Sequence, residues 1–175
     1  MDPSNWQQRL DAAFAKYFAM SNMLQADVEA LLEDTRDTQS SRRNFIRAVA
    51  PLMEGYAHCF RDMCQVGLET GAGSLTSKEV KVLKAERSFD SAERVKLTLR
   101  AAYKMFQLPS VPDFASEGWK HAQRFIEKRD KVMHPKSVED LEVPEAQWSD
   151  IHAGVVWLFE QLFGFMGQLA RVHGT

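Results

Sequence analysis

Apolar side chains recur at steps of three and four residues over most of this chain, and no segment shows the alternation of period two that is typical of a strand. Residues at these steps lie on one face of an α-helix, which repeats about every 3.6 residues. The longest run carries Trp6, Leu10, Phe14, Tyr17, Met20, Leu24, Val28, Leu31 and Leu32 on this spacing. The pattern therefore predicts an all-α protein in which each helix buries one apolar stripe.

Turn-forming and capping residues divide the chain into five long helices and one short one. The predicted helical segments are residues 4–34, 42–69, 76–86, 90–107, 114–133 and 145–172. Thr76 and Glu79 have the spacing of a capping box, Asp90 is a second predicted cap, and Pro51 predicts a kink in the second helix. The glycine-containing segment 70–74 and the segment 137–144 are predicted connectors.

Length and composition indicate one soluble globular domain over residues 1–175. The chain is 45% hydrophobic and 26% charged, with a formal net charge of -2, which argues against a general nucleic-acid binder. Any contact with nucleic acid must then use a local basic patch, such as residues 120–136. His152, Glu160 and Gln161 interrupt the apolar last helix, so no membrane span is expected.

The cysteines favour a reducing compartment. Cys59 and Cys64 are five residues apart on a predicted helix and so point about 140° apart, which suits neither a disulfide nor a zinc site. The N-terminal residues lack the basic start and apolar run of a signal peptide. We therefore expect a cytoplasmic protein without cofactor or metal.

Residues 127–136, with the sequence EKRDKVMHPK, carry the strongest functional pattern. The apolar residues of the surrounding helix fall on one arc, namely Trp119, Ala122, Phe125, Ile126, Val132 and Met133. Arg129 lies near the centre of that arc, where a charge is costly unless it is paired or binds an anion. Because Pro135 disfavours the helical conformation of the preceding residue, His134 is predicted to leave the helix at its C-terminal end. Arg129 and His134 are thus candidates for a metal-free phosphodiester-cleaving pair.

A basic face is predicted on the opposite side of the same helix. Its candidate RNA-binding residues are Lys120, Arg124, Lys128 and Lys131, followed by Lys136 just beyond the helix. The arginines at 42, 43 and 47 form a smaller cluster, for which a solvated face is favoured over an RNA groove. His58 lies one helical turn from both Glu54 and Asp62 and is expected to pair with either carboxylate.

Arg129 is followed directly by a polar residue, Asp130. After four intervening residues comes His134, which is followed by Pro135. This pattern resembles the motif of the HEPN family, small all-helical proteins of which many are RNA-cleaving toxins or defence nucleases. The resemblance implies an up-and-down bundle of about five helices and a homodimer in which two motifs meet in one cleft. It implies a catalytic Arg129 and His134, with an orienting role for Asp130. The expected products are a 2′,3′-cyclic phosphate and a 5′-hydroxyl.

A second interpretation stays open at this point. His134 can be a helix C-cap favoured by the helix dipole, and Arg129 can form a buried ion pair with an acid on a neighbouring helix. The chain would then be a non-catalytic helical module that binds a nucleotide or a protein partner. Candidate partners under the two interpretations are RNA, a second copy of the chain, and an antitoxin or nucleotidyltransferase-like protein.

Overall fold

The computed structural model describes residues 3–32, 37–69, 74–84 and 89–173. These ranges form α1 (Pro3–Leu32), α2 (Gln39–Glu69), α3 (Ser77–Leu83), α4 (Ser91–Met105), α5 (Glu117–Met133) and α6 (Glu145–His173), with a single 3-10 turn at Glu139–Leu141. They contain no strand, so the prediction of an all-α protein is confirmed. The predicted ends of the first and third helices and most of the glycine-containing connector fall on residues 33–36, 85–88 and 70–73, outside the described ranges.

The helix starts follow local capping chemistry. The predicted capping box is confirmed, because the Glu79 amide donates to Thr76 Oγ1 at 3.3 Å and the Thr76 amide donates to Glu79 Oε2 at 2.7 Å. α2 begins at Gln39, three residues before the predicted start, because Thr38 Oγ1 accepts from the Ser41 amide at 3.1 Å. α5 begins at Glu117 rather than at 114, because Ser116 caps it.

One helix, α4, ends earlier than the sequence pattern predicted. α4 stops at Met105 rather than near Gln107, because Gln107 has a φ of 52°, a left-handed conformation that cannot continue the helix. The amide of Leu108 then donates to the carbonyl of Tyr103 at 2.9 Å and closes this end. α3 ends at Leu83, with Lys84 as its C-cap.

The helices pack around an aromatic core and place α5 between α2, α4 and α6. Phe165 of α6 lies 4.3 Å from Phe60 of α2 and 5.4 Å from Tyr103 of α4, measured between ring centroids. α5 approaches α6 closely at Gly154, where a Cβ atom would lie 2.4 Å from the carbonyl oxygen of His121. Any larger residue at 154 would push α5 away from α6.

No helix within the described ranges has both the length and the hydrophobicity that crossing a membrane requires. Cys59 and Cys64 are free thiols, both are buried, and burial raises the pKa of both. Among the described residues no three His, Cys, Asp or Glu side chains cluster closely enough to hold a metal ion.

Candidate functional site

The inner face of α5 is the apolar arc that the sequence predicted, with one exception. The buried members are Trp119, Ala122, Phe125, Ile126 and Val132. Met133 was expected among them but is 39% exposed, because it is the last residue of α5 and projects beyond the packed helices.

Arg129 lies on this face and forms two ion pairs. Its guanidinium contacts the carboxylate of Glu54 on α2, and its Nη1 donates to Asp130 Oδ1 at 2.5 Å. Asp130 Oδ2 in turn accepts from Ser91 Oγ at 2.7 Å, so the three residues connect α5 to the start of α4. Only 17% of the Arg129 side chain is exposed. The interhelical ion pair of the second interpretation is therefore present, and it holds the guanidinium in one orientation.

His134 leaves α5 as predicted. Its backbone is at φ -132° and ψ 60°, its amide donates to the carbonyl of Asp130 at 3.0 Å, and the residue is exposed. Among the described residues its imidazole has no hydrogen-bond or ion-pair partner. The structure brings Arg129 and Asp130 together, but His134 is not among the residues that line the cavity beside Arg129.

That cavity, of about 410 Å³, lies between α2, α4 and α5 and is called here the arginine cavity. Three guanidinium groups line it, those of Arg61 on α2, Arg94 on α4 and Arg129 on α5, together with Ser91 and Glu54. Its apolar lining consists of Ala50, Met53, Ala57, Val95, Phe125 and Ile126.

Arg61 and Arg94 differ from Arg129, because the structure gives them no ion pair with an acid in the ranges it describes. Among the described residues neither forms an ion pair, and the one hydrogen bond of the Arg94 side chain goes from Nη2 to the carbonyl of Phe89 at 3.3 Å. Arg94 Nε is buried with no partner. Burial and the nearby charge of Arg94 lower the pKa of Arg61, only partly offset by Asp62. Within the part of the chain that the structure describes, the cavity thus holds two positive charges that no ion pair neutralises.

The predicted basic face of α5 is largely paired with acids. Lys120 donates to Glu117 and Lys131 to Glu127, while Arg124 Nη1 lies 2.7 Å from Asp150 Oδ2. All three side chains remain about half exposed. Exposed Lys136 donates its amide to Asp140 Oδ2 at 2.8 Å.

Lys128 was predicted to lie on the exposed basic face of α5, but it is buried. It is 8% exposed, and its Nζ donates to the carbonyl of Asp140 at 3.0 Å, because the 3-10 turn after α5 folds over it. Burial, together with the charge of Lys131, lowers the pKa of Lys128. The groove beside it, of about 550 Å³, is lined by three basic side chains (Arg124, Lys128, Lys131) and five acidic ones (Glu127, Glu139, Asp140, Glu142, Asp150). This side of α5 is therefore not uniformly positive.

The arginine cluster at the start of α2 also differs from its prediction, because Arg42 is buried rather than solvated. Its Nε and Nη2 donate to the two carboxylate oxygens of Asp37 at 2.6 Å each, its Nη1 donates to the carbonyl of Val143 at 2.9 Å, and Glu145 forms a further ion pair. These hydrogen bonds, that of Asp37 foremost, raise the pKa of Arg42.

Of the two acids flanking His58, Asp62 is near it, with Oδ2 3.4 Å from Nε2, while Glu54 is engaged by Arg129. Nε2 lies closer to Lys16 Nζ, at 2.8 Å, and this lysine also donates to Asp62 Oδ2 at 2.8 Å. Sequence reasoning did not assign Arg61, Arg94 and Ser91 to a site. One available signal was that Arg61 follows Glu54 and Ala57 at helical spacing, which places it on the same side of α2.

No protein-family model, curated protein or solved structure matches this chain.

Proposed function

We propose that the chain is a metal-independent endoribonuclease of the HEPN type that acts as a toxin or defence effector. Two protomers together form its active site. The observation that carries the proposal is that one helix bears a mostly buried Arg129 guanidinium and, at its end, an exposed His134 whose imidazole has no partner among the described residues. One group supplies permanent positive charge and the other supplies proton transfer near neutral pH.

In the proposed reaction the 2′-hydroxyl of the RNA attacks the adjacent phosphorus. One His134 accepts the hydroxyl proton, and the His134 of a second protomer protonates the departing 5′-oxygen. The new O–P bond replaces the broken one, so the products are a 2′,3′-cyclic phosphate and a 5′-hydroxyl. Arg129 stabilises the charge on the phosphoryl oxygens. Asp130, bonded to both Arg129 and Ser91, is the proposed positioning residue for this guanidinium.

A two-fold arrangement is proposed because each protomer supplies only one such histidine. The surroundings of His134 suit a protein contact, since Met133 and Val138 on either side of it are 39% and 72% exposed. Lys120, Arg124, Lys131 and Lys136 are proposed to contact the RNA backbone from the exposed side of α5. Lys128, because it is buried, is proposed to act on RNA only through the field of its charge.

Cleavage of total RNA in EDTA, followed by end-group analysis, tests the chemistry. His134→Ala should lower the rate by about 10²-fold or more, as should Arg129→Ala, whereas His152→Ala, at an exposed histidine of α6, should retain wild-type activity. Activity that EDTA abolishes, or that His134→Ala retains, would contradict the mechanism.

Mixing experiments test the composite site. When wild-type protein is unfolded and refolded with increasing His134→Ala, only pairs of wild-type protomers carry both histidines, so activity per total protein should fall with the square of the wild-type fraction. A site within one protomer would give a linear fall. Light scattering at tens of micromolar should give the mass of a dimer.

The second candidate is a non-catalytic helical module that binds a nucleotide or a protein partner, such as an antitoxin or a nucleotidyltransferase-like protein. The Arg129 ion pairs and the arginine cavity favour it, because both are explained without catalysis. Absence of cleavage by the wild type on any RNA, together with ligand binding, would select this candidate.

A further inference from the structure

Arg61 and Arg94 bring two positive charges to the arginine cavity, and neither has an ion-pair partner among the described residues. Placing cations in a partly desolvated site is costly unless an anion pairs with them. Glu54 is 64% exposed and contacts Arg129 rather than Arg61 or Arg94. Among the described residues no acid pairs with Arg61 or Arg94, so a ligand can bind the N–H donors that these two arginines do not use within the protein.

The two positive charges of Arg61 and Arg94 indicate which kind of anion the cavity binds. A carboxylate or a phosphodiester carries one negative charge, whereas a phosphate monoester carries about 1.5 to 2 at neutral pH. Two guanidinium forks also match the several oxygens of a terminal phosphate, which accept paired N–H donors. A phosphate monoester fits this set best.

The remaining lining indicates what the phosphate is attached to. About 410 Å³ lies within the range of roughly 300 to 1,000 Å³ found for small-molecule sites, far more than a lone phosphate needs. The six apolar residues named above cover the part of the wall that the arginines leave, and they suit a flat, weakly polar body.

We propose that the arginine cavity binds a nucleoside monophosphate, either free or as the 5′-phosphorylated end of an RNA, with Arg61 and Arg94 holding the terminal phosphate and the base against the apolar wall. The site lies within one protomer. It needs neither His134 nor a second chain, so it does not depend on the proposed ribonuclease function, and it rests on the nucleotide binding proposed as the second candidate, for which it names the site and the ligand.

Calorimetric titration at constant ionic strength tests the site with four probes: inorganic phosphate, adenosine 5′-monophosphate, uridine 5′-monophosphate and adenosine. We expect both monophosphates to bind, phosphate to bind more weakly, and adenosine not to bind. Equal affinities for phosphate and the monophosphates would overturn the role of the apolar wall. No heat from any probe at millimolar concentration would overturn the site.

Variants locate the binding. Arg61→Gln and Arg94→Gln should each weaken monophosphate binding about tenfold or more, because each removes a charged hydrogen-bond donor set. Arg61→Lys keeps the charge but loses the fork and should fall between wild type and Arg61→Gln. Arg47→Gln, an exposed arginine of the same helix outside the cavity, is the matched control and should bind normally. Binding retained by the double variant Arg61→Gln, Arg94→Gln would overturn the location.

Two further binding experiments separate this proposal from the proposed ribonuclease function and identify the source of the ligand. His134→Ala should bind monophosphates like the wild type even if it cuts no RNA, so failure of the nuclease and failure of the cavity are read independently. Trinucleotides with and without a 5′-phosphate identify the source of the ligand. Tighter binding of the phosphorylated trinucleotide than of the free monophosphates assigns the cavity to RNA ends, and the reverse order assigns it to free nucleotides.

Discussion

Arg42 and Arg61 lie at opposite ends of α2, and they satisfy their charges in different ways. Arg42 donates to both oxygens of Asp37 and to the carbonyl of Val143, pairs with Glu145, and lies over the ring of Trp148 at 5.7 Å. Arg61 has no ion-pair partner among the described residues and shares a cavity with Arg94. The first arginine joins α2 to α6, while the second faces an open space.

The difference separates two uses of a desolvated cation. A guanidinium whose donors are all engaged by the protein contributes to folding and has little left for a ligand. A guanidinium placed near another cation without an acid opposes folding and is positioned for an external anion. Arg129 lies between these cases, because it is paired with Glu54 and Asp130 yet lines the cavity.

The largest expected effect that tests this comparison is at Arg42. Arg42→Met removes two charged hydrogen bonds to Asp37 and leaves the carbonyl of Val143 without this donor, so we expect a loss of about 2 kcal/mol in the free energy of unfolding. For a chain of this length that lowers Tm by about 4 to 8 °C. Urea and thermal unfolding measure both quantities. Arg47→Met, at an exposed position of the same helix, is the control, and an equal Tm for the two variants would contradict the structural role of Arg42.

Features that depend on residues close together in the sequence could be predicted. The all-α class, the apolar face of α5 and the Thr76 capping box were predictable, because helical periodicity and capping are local patterns. The departure of His134 from the helix followed from Pro135 in the same way. These features depend on residues within one or two turns of each other.

The partners of the arginines were not predictable from such patterns. Arg129 meets Glu54, which is 75 residues away in the sequence, and Arg42 meets Glu145, since both pairs depend on how α2 packs against α5 and α6. Lys128 was assigned to a solvated face because its helical phase is polar, but a 3-10 turn twelve residues later covers it. Tertiary packing decides these contacts, and a single sequence does not encode it locally.

A substitution of the buried acid Glu79 is expected to have an intermediate effect on the free energy of unfolding. Glu79 is 1% exposed, and its carboxylate accepts from Lys104 Nζ at 2.8 Å and from the Thr76 amide. Burial by itself would raise the pKa of Glu79, but these hydrogen bonds lower it below the ordinary value of 4.5. A lowered pKa in the folded state means that the carboxylate stabilises the fold above pH 4.5 and that this contribution is lost as the pH falls through the folded pKa.

Glu79→Gln should therefore cost about 1 kcal/mol near pH 7, and the difference from wild type should shrink below pH 4.5. Unfolding in urea between pH 3 and pH 7 measures the two curves. Glu160→Gln, at an exposed glutamate of α6, controls for the loss of one surface carboxylate. A constant difference at all pH values would show that the replacement of an acceptor oxygen by an amide NH2 group, rather than the loss of charge, accounts for the effect of the substitution, in contrast to what we infer for Arg42.

The smallest expected effect in the absence of ligand is at Arg61, the other member of the comparison. Arg61→Met keeps an apolar stem of similar length and removes a cation that is half-buried beside Arg94, so repulsion is relieved while no ion pair within the described residues is broken. We expect a Tm equal to that of the wild type or slightly higher, within about 0.5 kcal/mol in free energy. The same variant should lose the rise in Tm that a bound monophosphate produces, since that rise requires the affinity of the folded site. A fall in Tm as large as that of Arg42→Met would show that Arg61 is a structural arginine, and the arginine cavity would then have no donor reserved for an anion.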